Sequence, residues 1–503
     1  MLKVGQIETV EITGYSSEGM GVCRIEGCAV FVPNAIRGEV CDVKLTHVSR
    51  NSAHGKIERI HFRSPHRISR AGPDATLCGG CQLHHMDYAE ELSFKARKVY
   101  DALTRLGGVQ SLPCAESPIS GHQSPGDGGC EARNTLGSGA QCAPREPRPD
   151  EASGTAAPAI CRLNTVPITG ADDIGAYRNK AQYPLAAKKG KPVAGFYKNR
   201  SHEVVSIRRC AILPELFDRA KEVVLRWAEE DRVSVYDERT GQGLLRHIYL
   251  RKGAVSGQVM VCLVVNGERL PREQRLVNAL RREIPGLASV ILSVNTKNTN
   301  VVLGSEFRTL WGQDWIEDKL CGFTFRLSPR SFYQVNHDQA ERLYEKAVEL
   351  SDLHGTETVL DLYCGTGTIT LALSRKAGKA IGVELIPEAI ADAKQNAARN
   401  GVTNVEFFCA DAGIAAERFC AEGAALDVIL VDPPRKGLAP EVIDAMAKMA
   451  PDRIVHVSCD PATLARDVKL LSEKGYALTH AEAYDLFPRT FHVECVTLMT
   501  RSK

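Results

Sequence analysis

Val359-Leu360-Asp361-Leu362-Tyr363-Cys364-Gly365-Thr366-Gly367 reads as a buried strand with a carboxylate near its end, then a turn of small residues, then the start of a helix. Small residues let the backbone approach a ligand closely, and a helix N-terminus offers free N–H groups. The turn alone would serve a dinucleotide as well, but the dehydrogenase form G-x-G-x-x-G is absent, because Gly365-x-Gly367 is followed by Thr368-Ile369-Thr370. About 20 residues beyond the turn, Ala380-Ile381-Gly382-Val383-Glu384 ends a second strand in a carboxylate placed to meet ribose hydroxyls. A third run, Val405-Glu406-Phe407-Phe408-Cys409-Ala410-Asp411, puts an acid where an adenine amino group would lie. Strands alternating with helices from about residue 322 onward predict an α/β, Rossmann-like doubly wound sheet with its ligand at the carboxyl edge.

Further strand ends fall at that same edge. Leu426-Asp427-Val428-Ile429-Leu430-Val431-Asp432 is followed by Pro433-Pro434-Arg435, and the prolines stiffen the exit of the turn. Arg453-Ile454-Val455-His456-Val457-Ser458 delivers Cys459, and Phe491-His492-Val493-Glu494 adds another acid. A thiol and two carboxylates at one edge suit methylation of a pyrimidine at C5. That carbon is a poor nucleophile until a thiolate adds at C6 and makes it enolate-like. The C5 proton must then be removed, for which Glu494 is the candidate base. Asp432 is placed to hydrogen-bond the base edge and orient the ring.

Outside this region the chain looks modular. Its 503 residues predict about three domains at roughly 100 to 200 residues each. Residues 1–60 alternate apolar and polar positions in short runs separated by Gly14, Gly19, Gly27, Pro33-Asn34 and Gly38, the pattern of a small OB-like β-barrel. Residues 61–321 read as a central α+β domain, with helices near 84–106 and 216–229 and strands near 258–265 and 289–294. Within it, about 110–172 is rich in Gly, Pro, Ser and Ala without periodicity and is expected to be a disordered insertion. Residues 322–503 form the cofactor-binding domain.

Charge and cysteine usage narrow the setting. Lys+Arg number 63 against 61 Asp+Glu, a net charge of +2, so any nucleic-acid surface must be local. The start Met1-Leu2-Lys3-Val4-Gly5-Gln6 has no apolar h-region, and the sequence holds no 18-residue apolar run, which points away from a membrane. Seventeen cysteines are then expected to be reduced thiols in a cytoplasmic protein. Cys78-Gly79-Gly80-Cys81 has metal-ligand spacing, and Cys210 could supply a third thiol, but zinc or iron–sulfur sites ordinarily take four ligands.

Gln334 within Ser331-Phe332-Tyr333-Gln334-Val335-Asn336, the Asp361–Gly367 turn, Asp432-Pro433-Pro434-Arg435, Ser458 through Asp467, and Phe487-Pro488-Arg489-Thr490 through Glu494 carry a family likeness. The chain resembles the RNA (uracil-5-)-methyltransferases that use S-adenosylmethionine, over nearly its whole length outside the insertion. The resemblance implies that the barrel is an RNA-binding TRAM domain, that Cys459 is the nucleophile and Glu494 the base, and that Gln334, Tyr363, Glu384 and Asp432 lie at the cofactor. It also implies a [4Fe-4S] cluster with one more cysteine six residues before Cys78. Gly72 stands there, so the cluster is expected to be lost or incompletely bound unless Asp74 or a distant thiol completes it.

RNA is the expected partner, and no protein partner is evident. Lys95, Arg97, Lys98, Arg105, Tyr177-Arg178-Asn179-Lys180, Lys188-Lys189 and Lys198-Asn199-Arg200 are the candidate contacts. The TRAM-like start favours large-subunit ribosomal RNA over transfer RNA. Competing readings are a transfer-RNA uridine or cytosine C5 methylase, an amino-group methylase, which Arg435 opposes, and a non-enzymatic RNA-binding redox sensor.

Overall fold

The computed structural model describes residues 2–68, 78–110, 165–199 and 201–502. The first unit is a six-stranded sheet of β1 (Ile7–Glu11), β2 (Gly14–Tyr15), β3 (Gly21–Ile25), β4 (Cys28–Val32), β5 (Val40–Val48) and β6 (Ser52–Phe62), ordered β1-β5-β6-β4-β3-β2. Strand alternation sends Cys23, Ile25, Val30, Val32, Cys41, Val43 and Leu45 into one core. Glu26 and Gly27, with φ of 48° and 80°, join β3 to β4 through the doubly left-handed turn that suits the right-handed twist of a hairpin.

Helix α1 (Tyr88–Arg105) starts where Asp87 accepts a hydrogen bond from the Glu90 amide. Near its start Phe94 packs with Ile36, Leu83 and Met86 against the barrel, and further along Val99, Ala102 and Leu103 join the core of the cofactor-binding domain. The helix therefore ties those two units together, although its sequence position had grouped it with the central domain. Apolar spacing reveals a buried face but not its partner.

Next come β7 (Ile168–Thr169) and the central strands β8 (Lys180–Lys188), β9 (Lys191–Tyr197), β10 (Val204–Ser206), β11 (Leu245–Lys252), β12 (Val259–Val265), β13 (Leu287–Val294) and β14 (Glu306–Gly312). The last seven form one sheet, β10-β9-β8-β11-β12-β13-β14. Helices α2 (Glu215–Glu230) and α3 (Glu273–Glu283) bury Phe217, Trp227, Leu276 and Leu280 in the core on one side of it. Tyr249, Met260, Cys262 and Ile291 of the same sheet join a different core, shared with the hairpin β15 (Ile316–Leu320) and β16 (Phe323–Leu327) and with the cofactor-binding domain.

In that domain α4 (His337–Ser351) leads into β17 (Thr358–Leu362), α5 (Thr368–Ser374), β18 (Lys379–Glu384), α6 (Pro387–Arg399), β19 (Val405–Cys409), α7 (Ala412–Ala421) and β20 (Val428–Val431). There follow α8 (Pro440–Met449), β21 (Arg453–Ser458), α9 (Pro461–Glu473), β22 (Tyr476–Tyr484) and β23 (Glu494–Arg501). The sheet order is β19-β18-β17-β20-β21-β23-β22-β7. From β17 the chain winds outward through β18 and β19 and then returns to β20 on the other side, so a topological switch point opens between β17 and β20. The strand β23 runs antiparallel to β21, with Cys495 opposite Ser458, so it begins at the edge where β21 ends.

One boundary differs from the sequence reading. Residues 165–172, assigned by composition to the insertion, include β7, which pairs in parallel with Ala483 and Tyr484 at the sheet edge. Two residues of strand are too short to show a period. Residues 111–164 of the expected insertion lie outside the described residues.

Candidate active site

The carboxyl edge opens into a cavity of about 1840 Å³. Small-ligand pockets usually span about 300–1,000 Å³, so this one has room for a nucleoside cofactor and a nucleotide side by side. Gln334, Tyr363, Glu384, Asp411, Asp432, Cys459 and Glu494 all line it.

One wall of the cavity is built by the turn after β17. Tyr363 adopts φ of 71°, and Gly365 and Gly367 follow at 54° and 82°. A Cβ on Gly367 would lie 3.0 Å from the Phe407 ring and 3.1 Å from Ala393 Cβ, so glycine is needed for space as well as for conformation. Glu384 is aimed by two amides, accepting from Gly365 N at 3.2 Å and Ile386 N at 3.0 Å. Asp411 caps α7, its Oδ1 accepting from Gly413 N and Ile414 N, so part of its acceptor capacity is structural. Leu385, Ile386 and Ile414 are 61%, 55% and 66% exposed, yet all line the cavity; they offer an apolar cover for a flat ring. Sequence reading missed them, since isolated exposed aliphatics carry no pattern. The side chain of Asn179 donates to Gln334 O at 2.8 Å and fixes that segment.

Behind this wall Asp361 is buried. Its Oδ2 accepts from Thr370 Oγ1 at 2.5 Å, while Oδ1 has no hydrogen-bond partner among the described residues. Burial, with Asp432 and Glu384 nearby, pushes its pKa up to about 8. Glu384 and Asp411 in the lining, beside the apolar cover of Leu385, Ile386 and Ile414, fit S-adenosylmethionine, which brings ribose hydroxyls, an adenine ring and two cationic groups.

On the opposite side Cys459 follows β21 and immediately precedes Asp460, which caps α9 by accepting from Ala462 N at 2.9 Å and Thr463 N at 3.2 Å. Register sets Glu494 beside it, at the first residue of β23. Burial raises Glu494 to about 8, with Asp432 adding to the rise and Arg435 opposing it. Burial likewise raises Asp432 to about 7. The Cys459 thiol is pushed up to about 11, first by burial and then by Glu494 and Asp432, with Arg435 opposing.

Two clamps hold this centre. Arg466 donates from Nη2 to Lys436 O at 3.1 Å and Leu438 O at 2.9 Å, while Asp467 accepts from Leu438 N at 2.9 Å, fastening the loop after Asp432 onto α9. The loop leading to Glu494 is fastened to α1: Lys95 Nζ donates to Glu91 Oε1 and Asp485 Oδ1, both at 2.7 Å, and to Phe487 O at 3.2 Å. Tyr177 donates to Pro488 O at 3.0 Å.

The second clamp corrects the expected RNA contacts. Lys95 is 0% exposed and unavailable to phosphate, and Lys98 is half-buried, donating to Phe491 O at 3.0 Å. Arg97 pairs with Asp101 at 3.1 Å, and Arg105 remains exposed. Of the Tyr177–Lys180 stretch, Lys180 lines the cavity, its pKa pushed down to about 8 by burial and by Arg251 and Arg178. Lys188 and Lys189 are exposed at the β8–β9 turn, Lys198 faces Glu203 at 3.9 Å, and Arg200 lies outside the described residues.

Cys78, Cys81 and Cys210 are brought near one another. Burial raises the Cys81 thiol to about 12, with Cys210 and Cys78 adding to the effect. Among the described residues, however, no group of three or more His, Cys, Asp or Glu side chains is arranged to hold a metal. Gly72 and Asp74, where a further ligand was in question, lie outside the described residues. The three thiols among the described residues are one short of the usual four-ligand set.

A doubly wound sheet with this crevice and an adjoining thiol and carboxylate has the form of a nucleoside-cofactor methyltransferase. Residues 254–502 match the tRNA (Uracil-5-)-methyltransferase family and residues 2–57 the TRAM domain. An uncharacterized RNA methyltransferase of Clostridium tetani is 40% identical over 489 residues, 97% of this chain and 95% of its own length. One from Bacillus cereus is 36% identical over 484 residues, 96% and 94% of the two chains. The solved Pyrococcus abyssi tRNA (uracil-54, C5)-methyltransferase, in complex with S-adenosyl-L-homocysteine, is similar with a TM-score of 0.71 and 26% identity, covering 98% of this chain and 99% of that one. The chain belongs to the S-adenosylmethionine-dependent RNA (uracil-5-)-methyltransferase family and carries an N-terminal TRAM domain. No helix among the described residues is long and apolar enough to cross a membrane.

Proposed function

We propose that the chain methylates C5 of a uridine in ribosomal RNA through a transient bond between Cys459 Sγ and C6 of the ring. The observation that carries this reading is the convergence of Cys459, Glu494 and Asp432 on one wall of a cavity whose other wall suits the methyl donor.

S-adenosylmethionine, when bound, supplies an electrophilic methyl group. Cys459, as thiolate, forms the S–C6 bond and drives the C5–C6 π electrons toward C5 and the O4 carbonyl, so that C5 takes the methyl. Glu494 accepts the C5 proton; the C–H pair restores the C5–C6 double bond and the S–C6 bond breaks, releasing the thiolate. Arg435, the guanidinium that opposes the rise in the Cys459 pKa, favours the thiolate, and Asp432 orients the ring.

The barrel-first organisation supports ribosomal RNA. Transfer RNA is the competing substrate, favoured by the activity of the Pyrococcus abyssi neighbour, a tRNA (uracil-54, C5)-methyltransferase. Incubation with 5-fluorouracil-substituted total RNA and methyl donor tests both points, because fluorine cannot leave as a proton. A stalled protein–RNA adduct is expected, absent in Cys459→Ala, with the trapped fragment mapping to large-subunit RNA. Product formation with no adduct through Cys459 would refute the mechanism, and a transfer-RNA fragment would reassign the substrate.

A further inference from the structure

Three rings lie side by side across three neighbouring strands on the outer face of the barrel. Phe31 of β4 is paired in register with His54 of β6, and His54 with His47 of β5. The ring centroids of Phe31 and His54 are 5.5 Å apart, and those of His54 and His47 are 6.4 Å apart. Their flanking residues Val30, Val32 and Ala53 point into the barrel core, so the rings point away from it. Phe31 and His54 are half-buried and His47 is exposed. Neither the barrel core nor the cluster that seats the barrel on α1 includes any of the three.

The surrounding charge says what such a face would meet. Lys44 and Lys56 stand directly opposite each other two pairs along the same two strands, beyond Leu45 and Gly55, and Arg50 is exposed on the turn that joins these strands. Like charges directly opposed in a sheet are destabilising. Glu58 relieves this in part through an ion pair of 2.9 Å to Lys56. A polyanion would relieve the rest. Ring faces spaced across strands with cations beside them are what a single strand of nucleic acid requires, bases stacking on the rings and phosphates meeting the cations.

We propose that Phe31, His54 and His47 form a stacking platform for an unpaired RNA segment flanking the methylated uridine, with Lys44, Arg50 and Lys56 at its phosphates. This deepens the reading of the chain as an enzyme acting on RNA and rests on it. The platform gives the enzyme a hold on the strand outside the catalytic cavity.

The test uses the full chain, a fluorescein-labelled unstructured pyrimidine 20-mer for binding, and methyl transfer to ribosomal RNA measured in parallel. Phe31→Leu and His54→Ala are each expected to weaken binding fivefold or more and to raise KM for the long RNA with kcat unchanged. Phe31→Tyr, which keeps a ring, is expected to stay within twofold of wild type. Lys56→Gln is expected to reduce the slope of log affinity against log salt by about 0.7, the share of one phosphate on a single strand. Should Phe31→Leu disturb the barrel by circular dichroism, the exposed His47→Ala carries the same test. Unchanged binding in these variants while the wild type methylates RNA would overturn the platform alone. A wild type that transfers methyl groups to no RNA would overturn the parent reading and the platform with it.

Discussion

At the scale of single residues, the site is governed by carboxyls held away from their ordinary pKa values. Glu494 can take a proton from C5 only when ionised, and its pKa of about 8 places that change just above neutrality. Activity at low substrate is therefore expected to climb between about pH 7 and 9, with Glu494→Gln removing that limb of the kcat/KM profile. The same substitution should lower turnover by about 10²–10⁴, the usual worth of a positioned base. Because addition precedes proton removal, it should also accumulate a covalent species on ordinary uridine RNA, visible on a denaturing gel. A variant that turns over without accumulating this species would assign the base elsewhere. Folding stability obeys the same shifts. A carboxyl whose pKa is raised by folding contributes stability fully below its unfolded value, and that contribution is withdrawn as pH rises through the folded value. Denaturant unfolding of the protein without methyl donor should thus show stability falling from about pH 4.5 to 8, less steeply in Glu494→Gln. These residues were legible in the sequence because each sits at or just beyond an end of an apolar strand. Asp361 was legible as a strand residue, whereas its orphaned oxygen was not, since hydrogen-bond satisfaction depends on packing.

At the scale of elements, α1 and the Asp485–His492 loop act as one piece. Glu91, Lys95 and Asp485 are fully buried, and removing the cation would leave two carboxylates in a dry site. Breaking a buried pair from one side costs about 3–5 kcal/mol, so Lys95→Met should lower unfolding stability by about that amount. It should also depress kcat, because the loop that leads to Glu494 loses its hold at Phe487 O. Adding Glu91→Gln and Asp485→Asn should restore part of the stability, as measured by urea unfolding. A Lys95→Met protein as stable as wild type would show that the clamp carries little energy. This cluster also marks a limit of sequence reading. Residue type alone makes Lys95 a candidate RNA contact, and its partner Asp485 is 390 positions away. Glu91 at i−4 is visible locally, but it would support a solvated helix face just as well. The boundary at residue 172 failed for a similar reason, because β7 is defined by its neighbour β22 and not by its own composition.

At the scale of the whole molecule, the central sheet and the cofactor-binding sheet share a core. Tyr249, Met260 and Ile291 from one and Leu343, Val359 and Val455 from the other belong to a single buried cluster, bridged by Phe325 of the β15–β16 hairpin. Phe325 is 0% exposed, and truncating such a ring costs about 3–5 kcal/mol. Phe325→Ala is expected to lower the melting of both units together, seen as one shifted calorimetric transition for the pair; two separated transitions would show that they fold independently. The order of the strands has a consequence for the making of the protein. Glu494 follows every other site residue along the chain and enters the sheet beside β21 on the antiparallel strand β23. A ribosome therefore supplies the cofactor crevice and the sulfur first and the proton acceptor last. Because β23 lies between β21 and β22 and buries Cys495, Val496 and Met499, the sheet itself closes only when this last strand emerges, so a prematurely ended chain would lose the fold of that edge together with the carboxyl.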